Sequence, residues 1–164
     1  MDIYRPVFSL IFCFVCAHLL FAGSRKPKDY TPQQLKSAED TLLIQNTKLV
    51  LDTYLWRDFM PQSPPDGKPL RAAINVIPVV NQFIPDGVHA DKFWILNEEE
   101  VWSGPLKSVR EDLPAQNRVK LEKVAQGGPK WGPGISVTVV IQIIDQDGKS
   151  YLLKTSNQQI HRTD

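Results

Sequence analysis

The feature that most constrains the fold is a strict alternation of apolar and polar residues near the C-terminus. In residues 135–143 every second position is a branched apolar residue, with Val139 at the centre, and the alternation resumes at Tyr151. A period of two is typical of a β-strand with one buried face. The intervening residues 145–148 end in Asp-Gly, which favours a tight hairpin turn because glycine adopts positive φ at little cost. A calcium loop would require further oxygen ligands and a glutamate where this chain enters its next strand, so the pattern predicts a hairpin.

Similar but weaker patterns recur upstream, separated by clusters rich in proline and glycine. They predict strands in residues 48–56, 70–76, 93–96, 101–102 and 119–121. With residues 135–143 and 151–154 this makes about seven strands. Short strands without intervening helices predict an all-β fold, namely an antiparallel β-sandwich of immunoglobulin-like or fibronectin-like architecture. Pro69 and Pro78 bracket one strand and predict that it lies at an edge, because proline cannot donate a hydrogen bond to a neighbouring strand.

A short helix is predicted before the strands. Thr31 and Gln34 have the spacing of a capping box, and Pro32 suits the first helical position. Apolar residues at helical spacing extend the prediction from Pro32 to about Ile44.

The N-terminus has the organisation of an export signal. Residues 7–22 are an almost continuous apolar run, and small residues follow it up to Ser24. Sixteen residues span about 24 Å as a helix, less than the roughly 30 Å of a bilayer core, so cleavage after Ser24 is expected. The alternative is an uncleaved anchor, which the positive charges of Arg25, Lys26 and Lys28 favour. The predicted organisation is therefore a signal at 1–24, a linker with a short helix at 25–47, and a β-sandwich domain at 48–164.

Composition excludes several classes of function for the exported chain. Both cysteines, Cys13 and Cys16, lie in the signal, so the remaining 140 residues offer no thiol for catalysis, metal binding or disulfides. Without Arg5 and Asp2, 18 basic residues face 17 acidic ones, and no nucleic-acid-binding surface is expected. Contact with a membrane is expected only through the signal segment, if that segment is not cleaved. The expected location is the periplasm or the cell exterior.

No pattern of catalytic or metal-ligating residues stands out. His89 and His161 lack the paired spacing of a zinc or copper site, and the three glutamates of residues 98–100 are typical of a solvated turn. The chain has no nucleophile elbow and no phosphate-binding glycine loop. The sequence therefore predicts no metal, no cofactor and no enzymatic activity.

The tryptophans are the residues best suited to bind a ligand. Trp94, Trp102 and Trp131 are the predicted ligand-binding residues, because exposed indoles on a β-sandwich can stack on sugar rings. The favoured function is an exported non-enzymatic interaction module with a protein partner. The first alternative is a carbohydrate-binding module using these tryptophans. The second is a small hydrolase with a dispersed site, which would draw on residues such as Asp58, His89 and Glu100.

Overall fold

The computed structural model describes residues 30–80, 82–109 and 118–164, which form one short helix and nine strands. The helix is α1 (Pro32–Lys36). The strands are β1 (Leu42–Ile44), β2 (Thr47–Asp58), β3 (Leu70–Pro78), β4 (His89–Asn97), β5 (Glu100–Pro105), β6 (Lys107–Ser108), β7 (Leu121–Gly128), β8 (Ser136–Ile144) and β9 (Ser150–Thr163). The predicted signal, residues 1–24, lies outside the described residues.

All nine strands join one mixed sheet that almost closes on itself. Its order is β5-β4-β8-β9-β2-β3-β7-β6, and β1 pairs with β2 beside this path. β5 pairs with β4, and β6 pairs with β7. Along the chain, only Leu106 separates β5 from β6. The chain between residues 100 and 108 therefore links the two ends of the sheet, and β7 lies against both β4 and β5. The fold is all-β as predicted, but it is barrel-like.

One pair of strands departs from the antiparallel arrangement that the sequence predicts. The last residues of β2, from Leu55 to Asp58, run parallel to Ile160–Thr163 of β9. Twelve residues in β2 and fourteen in β9 allow each strand to pair with more than one neighbour along its length. The parallel pairing joins the two ends of the domain, and no local sequence pattern encodes it.

The helix is shorter than predicted. Its capping box is present, since Thr31 and Gln34 bond reciprocally, but the helix ends at Lys36 with Ser37 as its cap. The apolar residues from Leu42 onward form β1 instead, which turns back into β2 through Gln45 and Asn46 at φ values of 46° and 65°. Two successive positive φ angles give the two-residue turn that matches the twist of paired strands.

The hairpin prediction for the C-terminal strands is confirmed. The side chain of Asp145 accepts hydrogen bonds from the amides of Asp147 and Lys149 and from the Tyr151 hydroxyl, and Gly148 has a φ of 73°. Burial alone would raise the pKa of Asp145, but these three donors outweigh it and hold the pKa below its ordinary value. Asp145 thus acts as a turn residue whose oxygens are already occupied.

The buried face that the alternation predicts for residues 135–143 is also confirmed in β8. β8 pairs with β4 on one side and β9 on the other, and Val139 and Ile141 are completely buried. The expectation of an edge strand after Pro69 is wrong, because β3 lies between β2 and β7. Pro78 is tolerated as the last residue of β3, where a missing amide hydrogen removes little from the ladder.

No helix in the described ranges is long and apolar enough to cross a membrane.

Candidate functional site

The three tryptophans predicted to bind a ligand occupy three different environments. Trp94 points outward from β4 but is only 4% exposed, because Leu35 and Ala38 of the N-terminal segment pack over it. The ring of Tyr30 meets it edge-on at 5.3 Å between centroids. Trp94 is therefore part of a small second core, between the helix segment and the sheet.

Trp131 lies in the main core, although the sequence places it in a Gly/Pro loop. It is 9% exposed, and its indole nitrogen donates to a carboxylate oxygen of Glu100 at 2.5 Å. The loop that carries it folds inward over the end of the barrel. Neither face of this ring is open in the way that sugar stacking requires.

Trp102 is half-buried at the seam where the sheet almost closes. Its ring meets Phe93 edge-on at 4.8 Å and lies so close to Gly128 that a β-carbon there would be 2.7 Å from the ring. It also lines a cavity of about 190 Å³ between β5 and β7, beside Val124 and Gln126. A volume of this size accommodates one side chain or a few waters, so Trp102 mainly fills the seam.

The residues considered for a dispersed hydrolytic site are not brought together. His89 begins β4, and Glu100 begins β5 opposite Asn97, the last residue of β4, so the length of β4, about 27 Å, separates His89 from Glu100. The Asp58 carboxylate accepts a hydrogen bond from the Lys68 ammonium at 2.7 Å, and this bond is the main reason that the pKa of Asp58 lies below the ordinary value. Within the described ranges, no three His, Cys, Asp or Glu residues are grouped as a metal site would need.

A different set of side chains forms the most distinctive surface of the domain. Alternation along β2 turns Leu55 into the core and directs Tyr54 and Trp56 to the outer face of the sheet. His161 of β9 is the parallel partner of Trp56, and Arg71 of β3 is its antiparallel partner. Three strands thus place these four side chains on one surface, which we call the aromatic row: His161, Tyr54, Trp56 and Arg71.

The side chains of the aromatic row stack on one another. The rings of Tyr54 and His161 are 4.8 Å apart and nearly parallel, with 11° between their planes. Tyr54 also stacks on Trp56 at 5.6 Å, and the guanidinium of Arg71 lies over the Trp56 ring at 5.3 Å. The contacts use ring faces and leave the polar atoms at the ring edges outside the stack.

The polar atoms of the row are available for a ligand. Tyr54 is 47% exposed, His161 and Arg71 are exposed, and Trp56 is half-buried. In the part of the chain that the structure describes, the Tyr54 hydroxyl, the Trp56 indole nitrogen and the Arg71 guanidinium form no hydrogen bond with another protein group. The row therefore presents several donors on a rigid sheet.

Small and polar residues surround the row. Ala73 of β3 is the direct cross-strand partner of Tyr54, and its side chain is much smaller than the Tyr54 ring. Further along the face, Asn75 donates to Asp52 at 3.3 Å, while Gln126 of β7 extends the surface beyond Arg71. An aromatic centre with a polar rim is the usual composition of a protein-binding surface.

A buried arginine stabilises the strand end that carries the row. Arg57 follows Trp56 and points inward, where it is 4% exposed. Its guanidinium donates to the carbonyls of Lys68 at 3.0 Å, Lys130 at 3.1 Å and Trp131 at 3.3 Å, and also to that of Asp66. One side chain thereby connects β2 to two loops that close the barrel end.

Sequence patterns could not have identified the aromatic row. Tyr54 and Trp56 are two apart in a segment with apolar residues on both faces, so the alternation does not indicate which face is buried. His161 lies more than 100 positions away and reaches the row only through the parallel β2–β9 pairing. The spacing of Tyr54 and Trp56 was the single available signal.

No known protein family matches this chain, and neither do the curated proteins or the solved structures with which it was compared.

Proposed function

We propose that this chain is a non-enzymatic interaction module that binds a protein partner through the aromatic row. The observation that supports the proposal is the exposed stack of Tyr54 on His161 and Trp56, capped by Arg71. Tyrosine, tryptophan and arginine are the residue types that contribute most to protein interfaces, where they form a rigid centre surrounded by polar groups.

The geometry of the row favours a protein over a glycan. Sugar rings stack on open aromatic faces, but Tyr54 already stacks on two rings and Trp56 is covered by Arg71. The free groups are hydrogen-bond donors at ring edges, which suit peptide carbonyls and acidic side chains. Burial of Trp94 and Trp131 likewise supports a surface that does not depend on the tryptophans predicted from the sequence.

For the architecture, we propose a sandwich of immunoglobulin-like type with its two layers joined at one side. Strands β2-β3-β7-β6 have the order of the A-B-E-D layer, and β4-β8-β9 have that of the C-F-G layer. The parallel β2–β9 pair is then the junction between layers. A solved structure with one continuous layer of hydrogen bonds around the whole circumference would contradict this assignment.

For the location, we propose export to the periplasm or the cell exterior after cleavage of residues 1–24. The support is the apolar run ending in small residues. Mass spectrometry of the native protein should find Arg25 as the mature N-terminus. An intact Met1 in the membrane fraction would instead favour the anchor.

The binding proposal is tested by quantitative capture from the native compartment. The Tyr54→Ala and Trp56→Ala variants should each lose the captured partner, because they remove the centre of the surface. Phe83→Ala is the matched control, since Phe83 is an aromatic residue of similar exposure, 53%, in the loop after β3. All variants are first checked for cooperative unfolding.

Three results would overturn the proposal. They are equal capture by wild type and both row variants, a glycan ligand that depends on Trp102, and turnover of any substrate by the purified chain.

A further inference from the structure

The aromatic row is rich in hydrogen-bond donors and poor in acceptors. Arg71 contributes a full guanidinium, Trp56 an indole N–H and Tyr54 a hydroxyl. The carboxylates on the same face of the sheet are engaged elsewhere: Asp52 accepts from Asn75 at 3.3 Å, and Glu122 pairs with Lys120 at 2.9 Å. A positive charge therefore lies at the Trp56 end of the stack, and the neighbouring acids are paired with other groups.

We propose that the partner presents an aspartate or glutamate side chain to Arg71, in an acidic segment that lies across the row. This inference rests on the protein-binding function proposed above, and it specifies the chemistry of the partner. The guanidinium is planar, and its N–H groups match the two oxygens of a carboxylate, which allows a bidentate pair. The indole beneath it limits the orientations of Arg71, so less freedom is lost when the pair forms.

The other members of the row complete the recognition. The Tyr54 hydroxyl and the Trp56 N–H can donate to main-chain carbonyls on either side of the acidic residue. The small side chain of Ala73 beside Tyr54 leaves room for an apolar residue of the segment to lie beside the edge of the ring. The site therefore predicts a short motif in which an acidic residue is flanked by apolar ones.

Two synthetic peptides test the charge preference with the purified full chain. One has four repeats of Glu-Pro-Tyr and the other four repeats of Gln-Pro-Tyr, and proline keeps both from associating as strands. Fluorescence anisotropy at low ionic strength should show that the glutamate peptide binds about two- to fivefold more tightly. Raising the salt concentration should reduce this difference, because the ion pair is exposed.

Two charge-removing variants make the test specific for the site. Arg71→Gln should abolish the preference for glutamate. Lys48→Gln removes one positive charge from an exposed position on the outer face of β2 and should preserve the preference for glutamate. Equal binding of the two peptides, no binding of either, or equal losses in both variants would overturn the inference.

Failure of this inference can be distinguished from failure of the proposed function in the capture assay. If Tyr54→Ala loses the native partner and Arg71→Gln retains it, the row binds a protein but not through a carboxylate. If both variants retain the partner, both proposals are wrong.

Discussion

Replacement of Arg57 by methionine tests quantitatively how much this side chain contributes to attaching the loops at residues 66–68 and 130–131 to β2. The arginine is buried, its charge is not paired with a carboxylate in the described part of the chain, and its guanidinium bonds to four main-chain carbonyls. Methionine fills a similar volume but cannot donate. The carbonyls in the loops at residues 66–68 and 130–131 would then lose their common donor.

The expected loss of unfolding free energy depends on how accessible each carbonyl is to water. The bond to Trp131 is fully buried, and an unpaired buried carbonyl costs about 1–3 kcal/mol. The bonds to Asp66, Lys68 and Lys130 are partly buried, so water can replace the donor and each loss is roughly 0.5–1 kcal/mol. Together these give a destabilisation of about 2.5–6 kcal/mol, a large share of the about 5–15 kcal/mol that is typical of a domain.

Equilibrium denaturation of the purified chain measures this difference. Arg57→Met should lower the free energy of unfolding by this amount. Arg71→Met should lower it by less than about 1 kcal/mol, because Arg71 is exposed, stacks only on Trp56 and forms no hydrogen bond with any described residue. A loss below about 1 kcal/mol for Arg57→Met would show that these carbonyls do not depend on the arginine.

Three further substitutions test separate parts of the structure. Because the pKa of Asp145 is lowered in the folded state, its contribution to stability is present above about pH 4 and disappears as the pH falls through the folded pKa. The difference in unfolding free energy between wild type and Asp145→Asn should therefore shrink on acidification, and a constant difference between pH 7 and pH 2 would contradict this. Gly128→Ala places a carbon 2.7 Å from the ring of Trp102 and should cost about 1–3 kcal/mol in thermal unfolding, whereas Gly132→Ala meets its nearest atom at 3.7 Å and should cost less than about 1 kcal/mol. Val139→Asp buries an unpaired charge in the central strand and should abolish cooperative folding, so a soluble variant with a sharp melting transition would show that the site is accessible to water.

The parts of the fold that depend on local patterning could be predicted from the sequence. The alternation around Val139 identified a central buried strand, and Asp-Gly identified the hairpin turn, because both depend on residues adjacent along the chain. The helix start at Thr31 was predictable for the same reason. Its end was not, since the apolar residues from Leu42 onward suit a helix face and a strand equally well in isolation.

The parts that depend on long-range pairing could not be predicted. Pro69 and Pro78 indicated an edge strand, but pairing with β7 makes β3 internal. Trp131 was placed in a loop, and only the inward path of that loop, held by Arg57, brings the indole into the core. The candidate site depends on the parallel contact between β2 and β9, which joins residues separated by about two-thirds of the chain.

Site-specific photo-cross-linking tests the central claim most directly. A benzophenone amino acid is introduced in place of Tyr54 in one protein and in place of Phe83 in another, and both are irradiated in the native compartment. The aromatic-row proposal predicts one discrete protein adduct at position 54, lost when Trp56→Ala is added, and no such adduct at position 83. An adduct at position 83 without one at position 54 would contradict the assignment of the binding surface.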